Sequence, residues 1–303
     1  MIAPSSDPDF LRAVVARGAR HGDDPVCVHR TPLVMSRAEA HRWRRLLPKM
    51  FRLLRRVRNR LLSDLERGPE SLAARIGTPL DALEWARIDP GFPDVAPLAR
   101  LDAYVVDGVP RFLELNAESP AGMAYASVLA PLFAEPGLRF LDPLPRVVRT
   151  VRALSWAWGV RRRRLRVAVV DFPGVATAPE FGIIAAAFRA QGPAATVATP
   201  ADTSFDGEHL RVHGTPVDVV LRRFLLRDLR ARPGACQAIL DAYRARRVCL
   251  VNPLRTGLLH NKATFALLHD PAFPLDDDER RLVSRHVPVT LLLDDATREA
   301  IRR

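Results

Sequence analysis

The sequence predicts an α/β protein: an N-terminal helical region that carries an antiparallel strand pair, then an open parallel sheet. Three observations carry that expectation. Apolar residues recur at helical spacing from Leu46 to Leu65. Residues 165–172 (LRVAVVDF), 180–192 (EFGIIAAAFRAQG) and 194–200 (AATVATP) read as strand, helix, strand. A crossover of that kind joins parallel strands with right-handed sense. Between these regions, residues 99–106 and 111–116 flank Asp107-Gly108 and read as paired strands.

Taken in order, residues 8–20 form a short helix. Ser36 with Glu39 three residues on is a capping-box pattern that opens a longer one. Pro48 should kink that helix or restart it, and Gly68-Pro69 should end it. Residues 70–87 are helical again, broken at Gly77-Thr78-Pro79. A helix over 122–134 stops at Glu135-Pro136-Gly137, and residues 154–164 read as the joint before a second unit. There the near-continuous apolar run 165–172 marks a strand buried on both faces. Residues 209–224 give a hairpin and a further strand, the stretch from Leu226 to Arg247 is mostly helix, and 248–253 is another strand. Residues 261–270 and 276–286 read as helices, 287–293 as a strand and 294–303 as a helix. The expected domains are 1–150, the helical region with the strand pair; 165–255, the α/β unit; and 256–303, the start of a further region.

Bulk properties bound the function. The 303 residues carry a formal net charge of +12. The 46 basic residues include two lysines, Lys49 and Lys262, so 44 are arginine. The densest runs, 44–60 and RRRR at 161–164, read as a solvated helix face and a solvated linker. The first run has a single aromatic, Phe51, and the second none, too few to interleave for base stacking, so a nucleic-acid partner is disfavoured. No apolar run approaches a membrane span, and the N-terminus MIAPSSDPDF lacks the basic flank and apolar segment of a secretory signal. A cytoplasmic location is the expectation. Cys27, Cys236 and Cys249 have no metal spacing and suit reduced thiols. The first strand–helix turn reads DFPGVATAPEFG, without the glycine spacing of a dinucleotide fold. There is no P-loop and no GxSxG elbow.

The strand pair holds the chemistry. A two-residue Asp107-Gly108 loop pairs residues whose numbers sum to 215 and puts Leu113 beside Asp102. A longer loop, with Pro110 inside it, gives the sum 216, which sets Asp102 opposite Glu114 and Arg100 opposite Asn116. The second register gathers Leu101, Ala103, Val105, Leu113 and Leu115 on one apolar face, as a half-buried pair demands, and is the expected one. Two facing carboxylates repel. Either Arg100 pairs with Asp102 and Glu114 is merely solvated, or a hard divalent cation sits on two carboxylates and an amide oxygen. Such a donor set suits Mg²⁺ completed by water and phosphate.

The stretch RLDAYVVDGVPRFLELNAESPAG resembles the metal-binding segment of circularly permuted ATP-grasp ligases, which include glutathionylspermidine synthetase and eukaryotic-type glutathione synthetase. Members show an R-x-D strand, then E-[LYI]-N followed by small and hydroxyl residues. The resemblance implies Mg²⁺ on Asp102, Glu114 and Asn116, a catalytic Arg100 near the transferred phosphate, and Ser119 near the acyl substrate. VDVVLRRF resembles a family strand ending in a substrate-contacting arginine, here Arg223. NPLRTGLLHNKATFALL resembles the segment with an ATP-contacting lysine, here Lys262. The segments come in family order over residues 100–270.

The resemblance implies a pre-ATP-grasp-like α/β unit and an ATP- and Mg²⁺-dependent ligase that joins a small acidic carboxylate to an amine through an acyl phosphate. The alternative is a non-catalytic remnant or small-ligand binding module of the same fold. Family members continue past the lysine with a glycine-rich loop and further acidic ligands. This chain has no glycine after Gly257. The ATP-grasp core is therefore expected to be incomplete, through C-terminal truncation or because a partner chain supplies the rest.

Overall fold

The computed structural model describes residues 7–94 and 96–293. The chain runs through α1 (Pro8–Ala16), the short strands β1 (Arg20–His21) and β2 (Asp24–Pro25), then α2 (Arg37–Arg67), α3 (Pro69–Ile76) and α4 (Leu80–Arg87). The hairpin β3 (Arg100–Val106) and β4 (Val109–Asn116) follows, then α5 (Met123–Leu129) and α6 (Leu144–Trp158). Strands and helices then alternate: β5 (Arg166–Val170), α7 (Ala178–Ala190), β6 (Ala194–Ala198), a meander of β7 (Thr203–Phe205), β8 (Leu210–Val212) and β9 (Thr215–Pro216), and β10 (Val219–Arg222). After these come α8 (Leu226–Ala231), α9 (Gln237–Arg244), β11 (Cys249–Val251), α10 (Gly257–His260), α11 (Ala263–Leu267) and α12 (Asp277–His286).

The described residues divide into two compact units, each made of three stretches of chain. One comprises 7–34, 89–98 and 119–253; the other comprises 35–88, 99–118 and 254–293. In the first unit the sheet order is β6-β5-β10-β11, with every pairing parallel. Val167 and Val169, Val219 and Leu221, and Cys249 and Val251 pack with α6 and α7. The intervening Ala168, Val170, Val220 and Leu250 are buried too. Both faces are covered, which is why these strands lack polar alternation. Helix α6 departs from the expected joint at 154–164. Its buried Leu144, Val147, Val148, Val151 and Leu154 follow helical spacing, and Pro145 lies in its first turn, where a missing amide costs nothing.

In the second unit α2 runs for 31 residues, opened by the Ser36–Glu39 capping box. Pro48 does not restart it. The lost hydrogen bond and ring clash cost about 3 kcal/mol. Burial of Met50, Leu53, Leu54, Val57, Leu61 and Leu65 on one face, at about 1.5–3 kcal/mol each, outweighs that cost. Residues 287–293, expected as a strand, form none. Val287 is buried, but Val289, Leu291 and Leu293 are exposed, and no edge among the described residues pairs with them. The helix expected at 294–303 lies outside the described residues.

The hairpin uses both registers. Asp107 and Gly108 have φ of +50° and +73°, the two left-handed positions of a tight two-residue turn whose twist matches the strands. Near the turn the pairs are Val106↔Val109, Val105↔Pro110, Tyr104↔Arg111 and Ala103↔Phe112. Beyond a bulge the pairs are Asp102↔Glu114, Leu101↔Leu115 and Arg100↔Asn116. Leu113 is the extra residue. Two expectations are thereby corrected. Pro110 lies in the strand, one pair from the turn at a non-hydrogen-bonded position, where its missing N–H breaks no ladder bond. The buried face carries Pro110, Phe112 and Leu115, while Leu113, Ala103 and Val105 are exposed.

Phe112 is fully buried, with its ring 6.0 Å from Trp43 of α2 and 6.4 Å from His286 of α12. Phe112→Ala is expected to cost about 3–5 kcal/mol of stability in urea unfolding. Leu113→Ala should cost less than about 0.5 kcal/mol, as an exposed change does. The reverse ranking would show that the bulge is misplaced.

Candidate functional site

The bulge decides which side chains share a face. Directly paired residues project together, so Arg100, Asp102, Glu114 and Asn116 stand on one side of the hairpin. Arg100 donates to both Asp102 oxygens, Nε to Oδ1 at 2.6 Å and Nη2 to Oδ2 at 2.8 Å. This bidentate fork is the strong form of the pair. Asn116 Nδ2 donates to Asp102 Oδ2 and to Glu114 Oε1, at 3.1 Å each. Lys262 Nζ meets the other Glu114 oxygen, Oε2, at 3.0 Å. The Lys262 ammonium, with help from Asn116, holds the Glu114 carboxyl below the usual carboxylate range against the opposing effects of burial and Asp102.

Five residues proposed from the sequence thus form one cluster, partly open to solvent. The Asp102 and Glu114 side chains are 31% and 29% exposed, and Lys262 is 76% exposed. Both sequence alternatives for the carboxylates are altered. Arg100 does pair with Asp102, but Glu114 has its own cation. The donor set fits a small hard cation shared with phosphates: two carboxylates converge on one carboxamide, which by rotation presents its oxygen. No group of three or more His, Cys, Asp or Glu side chains among the described residues is arranged to hold a metal. The remaining ligands would therefore be water and phosphate oxygens, as Mg²⁺ prefers.

Lys262 is aimed by a residue the sequence reading passed over. Asn261 Nδ2 donates to Ile76 O at 2.8 Å and Thr78 Oγ1 at 2.9 Å, and its Oδ1 accepts from Ala263 N at 2.9 Å. Asn261 thereby ties the start of α11 to the α3–α4 turn and fixes the base of the lysine. An Asn just before a helical run was the available signal.

Ser119 and Arg223 belong to the first unit. Ser119 is half-buried. Arg223 is 4% exposed, and its fork is engaged within that unit: Nη2 donates to Glu180 Oε2 and Nη1 to Pro120 O, at 2.9 Å each. Glu180 Oε1 accepts from Gly122 N at 2.8 Å and Ala124 N at 3.0 Å. Arg223 and Glu180 therefore clamp residues 120–124. As it stands, the Arg223 fork orients this segment rather than a substrate carboxylate. The clamp forms where the strand order reverses: Arg223 follows β10, and its N–H donates to Val170 O at the end of β5. Asp171, the next residue after β5, is also buried there.

Burial pushes the Asp171 carboxyl up from 3.8 to about 6, against the pull of the Phe172 amide and the Arg223 and Arg222 charges, with Asp228 adding to the rise. A carboxyl pKa raised in the folded state contributes stability below its unfolded pKa, and that contribution is lost as pH rises through the folded pKa. The urea midpoint is expected to fall as pH rises from about 4 to about 6. Asp171→Asn, which keeps the acceptor for Phe172 N–H, should flatten that fall. An unchanged slope in the variant would exclude Asp171 as its source.

No protein-family model matches the chain, and no curated protein matches it. Solved structures do match, among them a glutathione synthetase-like effector from Globodera pallida in apo form. The likeness has a TM-score of 0.55 at 10% identity and covers 98% of this chain and 79% of that one. The mixed α/β chain, with its parallel sheet and antiparallel pairs, therefore has a glutathione synthetase-like fold.

Proposed function

We propose that this chain is an ATP- and Mg²⁺-dependent carboxylate–amine ligase of the circularly permuted ATP-grasp type. The observation that carries the reading is the cluster itself. Asp102 and Glu114 converge on Asn116, each with a solvent-accessible cation, Arg100 or Lys262, at its outer side. The glutathione synthetase-like fold supports it. Bound Mg²⁺ would neutralise triphosphate oxygens and hold them against the two carboxylates.

Before any ligand arrives, Arg100 and Lys262 neutralise the carboxylates. With Asp102, Glu114 and Asn116 holding a divalent cation, the Arg100 and Lys262 side chains would be free to turn to phosphate oxygens. Arg100 and Lys262 would then stabilise charge on the transferring γ-phosphoryl group, where positioning and electrostatics do most of the work. A carboxylate oxygen of a small acidic substrate attacks that phosphorus, ADP leaves, and an acyl phosphate forms. An amine attacks the acyl carbon, phosphate leaves, and the amine loses a proton to give the amide. The resemblance alone assigns Ser119 to the acyl substrate, and Arg223 and Glu180 hold the residues 120–124 that follow it.

A second reading has its own support. Each carboxylate is already satisfied by a cation and an amide, as in a binding module that has given up turnover. Nucleotide binding without ADP release, across a panel of acids and amines, would favour it.

Isothermal titration with Mg·ATP should give saturable heat, weakened at least about tenfold by Asp102→Asn or Glu114→Gln, since charge-assisted contacts contribute ~1.5–3 kcal/mol each. No heat in the wild type and no change in Asp102→Asn would sink the proposal. Lys262→Ala should act with opposite signs. It should tighten Mg²⁺ titrated alone, because Glu114 loses its competing cation, and weaken Mg·ATP, because a phosphate partner is gone.

A further inference from the structure

The run RRRR at 161–164 is, as expected, an exposed connection, between α6 and β5. Three of its arginines, Arg162, Arg163 and Arg164, form one wall of a concavity of about 750 Å³ in the first unit, lined also by Arg152, Trp156 and Gln191. That volume suits a small-molecule ligand. The concavity lies beside Leu165, just ahead of β5, and shares no residue with the carboxylate cluster.

The charges in it are not matched. Asp218 pairs with Arg162 at 3.1 Å and with Arg166 at 2.9 Å. Arg152 donates to Gln191 O at 3.3 Å, and Arg161 donates to Trp156 O, so both complement the last carbonyls of helices. Arg163 and Arg164 have no ion pair among the described residues. Like charges gathered in one concavity repel, and a cleft lined by one sign focuses its field on a counter-ion. Planar guanidinium forks suit the oxygens of phosphate. The sequence reading found no aromatic within the run. Helix α6 brings Trp156 to it, 60% exposed with the Arg161 guanidinium 4.2 Å from the ring centre.

We propose that this concavity binds a small, multiply phosphorylated molecule, with Arg163 and Arg164 as its principal contacts. Inorganic tripolyphosphate titrated into the full chain at physiological ionic strength is the test. Saturable one-to-one binding is expected, weakened at least about tenfold in Arg163→Ala/Arg164→Ala. The charge-matched control Arg12→Ala/Arg17→Ala should bind as the wild type does. The same measurement in Asp102→Asn/Lys262→Ala should leave this binding intact, which separates it from the proposed ligase site. Absence of saturable binding, or equal loss in both arginine double variants, overturns the proposal. A single-stranded RNA bound more tightly than tripolyphosphate through Arg163 and Arg164 overturns it in favour of a nucleic-acid surface. Circular dichroism of each variant establishes that loss of binding is not loss of fold.

Discussion

One extra residue in one strand governs the candidate site. The β3–β4 hairpin must bury Phe112 and Leu115 and still set Asp102 opposite Glu114. A strict period-two strand cannot do this, because residues three apart point to opposite faces. Leu113 absorbs the mismatch. On the turn side the register suits a left-handed Asp107-Gly108 corner and keeps Pro110 clear of the ladder. On the far side it builds the polar face. The aromatic packing of Phe112 with Trp43 and His286 anchors the half of the hairpin that carries no chemistry. In the open half Leu115 is buried on the opposite face from the polar cluster.

Electrostatics shape that open half. Asp102 and Glu114 would repel if left alone, and the chain answers with Arg100, Lys262 and the Asn116 amide. Arrangement matters more than the ion pairs themselves, because exposed pairs contribute little to stability. Two cations held beside two carboxylates leave the cluster neutral. The Lys262 side chain is mostly exposed, and Asn261 fixes its base.

The first unit handles charge differently. Glu180 and Arg223 are almost fully buried, and each of their partners lies within that unit. Breaking such a pair from one side costs about 3–5 kcal/mol, because it strands a charge without water. The pair fixes residues 120–124 at the place where the parallel sheet reverses its strand order. Open α/β sheets commonly leave a crevice for ligands at that place.

Much of the chain was legible from local rules. The α2 capping box, the breaks at Gly68-Pro69 and Gly77-Thr78-Pro79, the βαβ unit and the Asp107-Gly108 turn all depend on residues close in sequence. So did the proximity of Arg100, Asp102, Glu114 and Asn116, once the strands were paired. The continuous passage of α2 through Pro48 was not legible, because burial of a distant face outweighs a local penalty. Nor was α6, whose apolar spacing was hidden by the prolines at its start. The bulge escaped because each register satisfied half of the hairpin, and only the packing of Phe112 selects both. Residues 287–293 carry a strand pattern that needs a partner edge, and none is present among the described residues. The sequence by itself determined which groups could meet across the hairpin and, where caps and breakers are local as at Ser36 and Gly68-Pro69, where a helix begins or ends. Only the tertiary structure decided that Lys262 would close on Glu114, that Arg223 would clamp residues 120–124, and that Arg162, Arg163 and Arg164 would line a concavity, because each depends on segments far apart in the chain.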